Sequence, residues 1–159
     1  MRLPTALLFA FLAGCASYSG SSLVPGQSSE DDVRIVMGEP ALVREAPGGG
    51  QVLWYPRLPA ARESFAVTVG ADGILVSIEQ RLTAQNIARL KPNESTADDV
   101  LDILGPPSAV YEYPRQQREA WEYPLRTPPE NMNLYVQLSP DHVVREVFQL
   151  LPRPKFLFR

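Results

Sequence analysis

One stretch of the 159-residue chain occurs twice, and that repetition limits the possible folds more than any other feature. Leu23-Val-Pro-Gly-Gln-Ser-Ser-Glu-Asp-Asp-Val-Arg-Ile-Val-Met-Gly-Glu-Pro40 is answered by Leu90-Lys-Pro-Asn-Glu-Ser-Thr-Ala-Asp-Asp-Val-Leu-Asp-Ile-Leu-Gly-Pro-Pro107 at a constant offset of 67. The same offset relates Gly38 to Gly105, Pro40 to Pro107 and, further along, Trp54 to Trp121. Later, Asp72-Gly-Ile74 answers Asp141-His-Val143 at an offset of 69, a two-residue slip of the kind an insertion in a hairpin loop leaves. Such self-similarity predicts two copies of one module, residues 23–80 and 81–150. Each is small enough to bury only a limited core by itself.

Within each copy the local chemistry repeats as well. Ser29 fits an N-cap with Asp32 three residues on, and Thr96 does the same with Asp99. Val33, Val36 and Met37, then Val100, Ile103 and Leu104, form one apolar stripe per helix; Gly38 and Gly105 terminate it, and Pro40 and Pro107 prevent continuation. Thr83 caps a further helix over Ala84–Leu90 in the second copy. Strands are expected at 41–45 and 109–113, then at 51–55 and 119–123, each of the latter pair closed by a proline, Pro56 or Pro124. Phe65, Val67 and Val69 alternate ahead of an Asp72-Gly73 hairpin turn into Ile74–Ile78, and 133–138 with 143–150 repeats that hairpin. The fold class is α+β: two tandem modules, each with short helices packed on one face of a three- to four-stranded antiparallel sheet, the two sheets lying side by side.

The charge balance excludes whole classes of function. A net charge of −3 and a pI of about 5.2 leave no basic face for nucleic acid. With one cysteine and one histidine there is neither an intrachain disulfide nor a Cys/His metal set, and no cofactor site is expected. The acidic pairs Asp31/Asp32 and Asp98/Asp99 read as helix-capping and first-turn charge rather than as acid–base machinery, because adjacent helix positions do not face each other. His142 stands where the first copy has the turn residue Gly73, with no nucleophile set beside it. The chain is not expected to be an enzyme.

The N-terminus reads as an address. Met1-Arg2 is followed by the apolar run Leu7–Leu12, too short to span a bilayer. Residues 1–14 are therefore expected to be a signal peptide, and Leu12-Ala13-Gly14-Cys15 resembles the lipobox of bacterial lipoproteins, in which the cysteine is acylated after cleavage. Residues 15–22 would then be the lipidated Cys15 and a flexible Ser/Gly tether. Ala16 in place of an aspartate implies the outer membrane, with the chain on its periplasmic face.

Taken in order, Gly26–Val33, Met37-Gly38-Glu-Pro40, Trp54-Tyr55 and Asp72-Gly73, then Asn93–Val100, Leu104-Gly105-Pro-Pro107, Trp121-Glu-Tyr123 and Asp141-His142, the motifs resemble the SmpA/OmlA family of small outer-membrane lipoproteins, with the BamE-like fold. That resemblance implies an accessory factor of the envelope whose partner belongs to the β-barrel assembly machinery. A tandem pair of such modules also resembles the β-lactamase inhibitor protein fold, although the disulfides of that family are absent. The alternative is thus an inhibitor-like protein that grips a periplasmic enzyme with its sheet face.

Tyr111, Tyr113, Trp121 and Tyr123 are the candidate partner-binding residues, since positions two apart on a strand share a face. Such a face either forms a binding hot spot or is covered by the protein's own helices. Trp54 and Trp121 read as equivalent structural anchors. The basic, aromatic segment 151–159 is either a frayed end or a peptide that docks on a partner or on anionic lipid.

Overall fold

The computed structural model describes residues 19–152. Both copies begin on the same capping device. Ser29 Oγ accepts from the Asp32 backbone N–H, and the Asp32 carboxylate accepts in return from the Ser29 N–H at 2.8 Å, opening α1 (Glu30–Met37). α2 (Ala84–Ile87) is a single turn capped by Thr83, shorter than the helix expected to reach Leu90. Leu90 is nonetheless buried. α3 (Ala97–Leu104) repeats the first device with Thr96 and Asp99, the return bond being 2.7 Å. Backbone and then side-chain hydrogen bonds from Ser29 and Thr96 hold the Asp32 and Asp99 carboxyls below the usual aspartate range. Gly38 and Gly105 close α1 and α3 at φ +86° and +81°, which only glycine adopts without strain.

α1 and α3 are each followed by a four-stranded antiparallel meander. The first is β1 (Leu42–Glu45), β2 (Gln51–Pro56), β3 (Ser64–Val69) and β4 (Leu75–Gln80); the second is β5 (Ala109–Tyr113), β6 (Arg118–Leu125), β7 (Met132–Leu138) and β8 (Val144–Leu150). The chain is α+β, with two four-stranded sheets and few helices. Val33 and Met37 of α1 share a buried cluster with Leu53, Tyr55, Val67, Val69 and Leu75. Val100, Ile103 and Leu104 of α3 share another with Tyr123, Leu125, Leu134, Val136 and Leu138. In both halves the N-cap residue bridges to the β-turn, Ser29 to Ile74 and Thr96 to Val143, so the helix start is tied to the hairpin. Among the described residues no helix is long and apolar enough to cross a membrane.

Four expectations are corrected. Among the described residues no ladder joins the two sheets, and they do not extend each other side by side. Instead α3 meets the first sheet: a β-carbon on Gly105 would fall inside contact distance of the Trp54 ring, and Arg44 of β1 pairs with Asp98 and Asp102. Second, Pro124 lies within β6, paired with Asn133, rather than ending the strand. β5 has already ended opposite Glu122, so no strand on that side lacks a partner N–H. Third, the flexible tether expected over residues 15–22 does not extend to Gly20. Gly20 is buried, and a β-carbon there would stand 2.9 Å from Ile78 Cδ1.

The fourth correction concerns the tryptophans. Both meanders shift register at the same point, between Thr68 and Val69 and between Gln137 and Leu138, which makes Val67 equivalent to Val136. Val67 pairs with Leu53, whereas Val136 pairs with Trp121. Trp121 is therefore the counterpart of Leu53, and the counterpart of Trp54 is Glu122. The slip of two is two single insertions, one in each hairpin loop of the second copy. A single added residue turns every following side chain to the other face. Trp54 consequently points away from its own module's core cluster, and Trp121 packs against its own.

Candidate functional site: the open face of the second sheet

Strand alternation decides which residues of the second sheet meet. Along β6, Trp121, Tyr123 and Leu125 turn toward the core, so Ala120, Glu122 and Pro124 turn away from it. Tyr111 is opposite Ala120 and Tyr113 opposite Arg118, which puts both tyrosines on the Glu122 side. β7 adds Asn133, Tyr135 and Gln137, and β8 adds Phe148 and Leu150. Together these strands bound an open cavity of about 760 Å³. Tyr135 and Phe148 stack across its floor, ring centroids 5.6 Å apart and planes 24° from parallel.

Glu122 sits at the centre and is only 9% exposed. Tyr111 donates its hydroxyl to Oε2 at 2.6 Å, Tyr135 donates to Oε1 at 3.2 Å, and the Asn133 amide also donates to Oε1. The bond to Glu122, with burial and the carboxylate's charge behind it, pushes the Tyr111 phenol up to about 12. Among the described residues Glu122 makes no ion pair. The cation on the cavity wall is Arg62, from the loop between β2 and β3. Its Nη1 donates to the carbonyls of Leu125 and Met132 and to Asn133 Oδ1 at 3.2–3.3 Å, which anchors it to backbone rather than to the carboxylate. The first module thus supplies part of the wall of the second module's cavity.

Of the four aromatic candidates, the structure brings only two to this face. Tyr111 and Tyr113 line the cavity and are exposed. Tyr123 is fully buried on the opposite side, where its hydroxyl donates to the Gly105 carbonyl at 2.9 Å and burial pushes its phenol well up. Trp121 packs against the core and donates to Glu119 at 3.1 Å. The expectation that all four share a face fails because β5 and β6 pair odd positions with even ones. Glu122, Asn133 and Tyr135 carry the site and were missed. Their signal was the alternation of Asn133, Tyr135 and Gln137 with the buried Leu134, Val136 and Leu138, which marks a strand with two usable faces.

The remaining candidates have structural places. Gly38 and Gly105 are helix terminators, and Pro40 and Pro107 follow them. His142 is an exposed turn residue at φ +59° whose carbonyl accepts from the Ala97 N–H at 2.8 Å. Asp98 pairs with Arg44. Cys15 and residues 153–159 lie outside the described residues.

No family model matches the chain, and no curated protein matches it. Among solved structures, the crystal structure of a DUF4309 family protein (YjgB) from Bacillus subtilis subsp. subtilis is similar over 82% of each chain, at 18% sequence identity and a TM-score of 0.32. A likeness that low carries no argument about fold or function.

Proposed function

We propose that this chain is a lipid-anchored, periplasm-facing lipoprotein of the outer membrane, built of two tandem BamE-like modules with the helices on one face of each sheet. It works by binding a protein rather than by catalysis. The observation that carries the binding reading is the asymmetry between the two sheets. The outer face of the first receives α3 through Trp54 and Arg44, while the same face of the second is an open, tyrosine-lined cavity. Aromatic side chains around a concave floor are the usual makings of a protein-binding hot spot. The lipobox ending at Cys15 supports the anchor, and the order of the repeated motifs supports an accessory role in envelope or outer-membrane-protein assembly.

The test is photo-crosslinking in intact cells, with a photoreactive residue replacing Tyr113, in the wild type and in Cys15→Ser. Outer-membrane assembly subunits crosslinked only to the lipidated form are expected. Crosslinking to a soluble periplasmic hydrolase regardless of lipidation would favour the inhibitor-like alternative, and no crosslinked protein in either strain would remove the binding reading.

A further inference from the structure

The first sheet shows what this fold places on such a face, and the second sheet differs from it at equivalent positions. By register, Tyr111 stands where the first sheet has Arg44, Glu122 where it has Trp54, Tyr135 where it has Ala66, and Phe148 where it has Glu79. In the first sheet Arg44 is the charged contact: its Nη2 lies 3.3 Å from Asp98 Oδ1 and its Nε 2.5 Å from Asp102 Oδ1, both on α3. A cationic face has taken an acidic helix. In the second sheet that cation is gone, and a carboxylate stands in place of the tryptophan.

The exchange changes which occupant fits. A second copy of the chain would present α1 as the first sheet is presented with α3, with Asp31 and Ile35 at the places of Asp98 and Asp102. That would bring Asp31, at the place of Asp98, toward the Glu122 cavity, and like charge across a desolvated contact is rejected. A cation is favoured for the converse reason. Glu122 is nearly buried, is held as an acceptor by three neutral donors, and has no ion pair among the described residues. A charge in that position gains most from a partner of opposite sign. Tyr111, Tyr135 and Phe148 surround the spot with rings whose faces attract cations, and the groove crosses all four strands from Tyr113 to Leu150.

Resting on the protein-binding reading above, we infer that the cavity is a recognition site for a basic side chain, arginine or lysine, carried between apolar residues on an extended segment of the partner protein, with Glu122 as its counter-charge. Arg62, fixed to the Leu125 and Met132 carbonyls, sets the end of the groove where a cation is not accepted.

The experiment uses the full chain in detergent micelles and two capped pentapeptides, Ac-Leu-Phe-Arg-Phe-Leu-NH2 and the same peptide with neutral citrulline for arginine, titrated by calorimetry. The arginine peptide is expected to bind about tenfold tighter, and Glu122→Gln, which keeps size and an acceptor oxygen, to erase that difference. In the wild type the Glu122 carboxylate carbon should shift with the arginine peptide and not with the citrulline one, which tests the contact without relying on the variant. Equal binding of both peptides, or discrimination that survives Glu122→Gln, overturns the inference. If both bind equally and Tyr135→Ala weakens both, the protein-binding reading stands and only the cation site falls. If neither binds, both fall. Self-association that buries Ile35 of one copy against Tyr111 of another would also overturn it, by naming a second copy as the occupant.

Discussion

Trp54 and Gly105 touch so closely that a β-carbon on Gly105 would stand 2.3 Å from Trp54 Cε3, although the two residues belong to different modules. Gly38, the equivalent terminator of α1, has nothing within 4 Å of the same position. The pair therefore separates two effects that a glycine substitution usually mixes. Gly38→Ala meets only the positive-φ strain, about 1–3 kcal/mol. Gly105→Ala adds overpacking against a fully buried indole, about 1–3 kcal/mol more. Urea unfolding of both variants measures the difference; equal losses would mean that Trp54 moves aside freely and that the contact between modules is soft.

Arg44 is the polar half of the same junction. Its side chain is about three-quarters buried while Asp98 and Asp102 are largely exposed (25% against 78% and 58% side-chain exposure), so the pair gains little and is screened by salt. Arg44→Ala should lower stability by about 0.5–1 kcal/mol in dilute buffer and by less in high salt. A double-mutant cycle with Asp102→Ala checks whether the loss belongs to the pair.

Two equivalent tyrosines have unlike hydroxyls. Tyr123 donates to the Gly105 carbonyl, whereas the Tyr55 hydroxyl is buried without a partner among the described residues. Tyr123→Phe should therefore destabilise by about 1–2 kcal/mol, and Tyr55→Phe should be neutral or stabilising. Thermal or denaturant unfolding of the two single variants decides this, and the reverse order would show that Tyr55 finds a hydrogen bond in solution.

The Tyr111 phenol, raised to about 12 by its bond to Glu122, links the cavity to stability at high pH. Its folded value exceeds its unfolded one of about 10, so its contribution is complete below pH 10 and is lost as pH rises toward 12. Burial raises Tyr55 and Tyr123 in the same direction, so the wild-type decline alone does not isolate it. Tyr111→Phe should remove part of the decline between pH 10 and 12, and superimposable stability profiles for the two proteins would show that the Tyr111–Glu122 bond does not form.

Local chemistry made much of this fold legible. Both capping boxes, both glycine terminators and the paired hairpins follow from neighbours a few residues apart, and they form as read. The candidate site was legible only by half. Tyr111 and Tyr113 could be placed on one face by alternation along β5, but joining them to Trp121 and Tyr123 required knowing how β5 pairs with β6. One additional residue in that hairpin sends Trp121 to the core and Glu122 to the cavity.

The sequence by itself determined that the chain is α+β with a repeated order of helix and strands, because helix caps, stripes and turns are written in short-range patterns that recur along it. Tertiary structure alone decided what each outer sheet face meets. Register, which fixes the direction of every side chain on a strand, comes from pairing between strands and reverses with a single insertion. The shell of Glu122 draws on β5 and β7, and the cover over Trp54 comes from a helix about fifty residues away in sequence, contacts that no local pattern encodes.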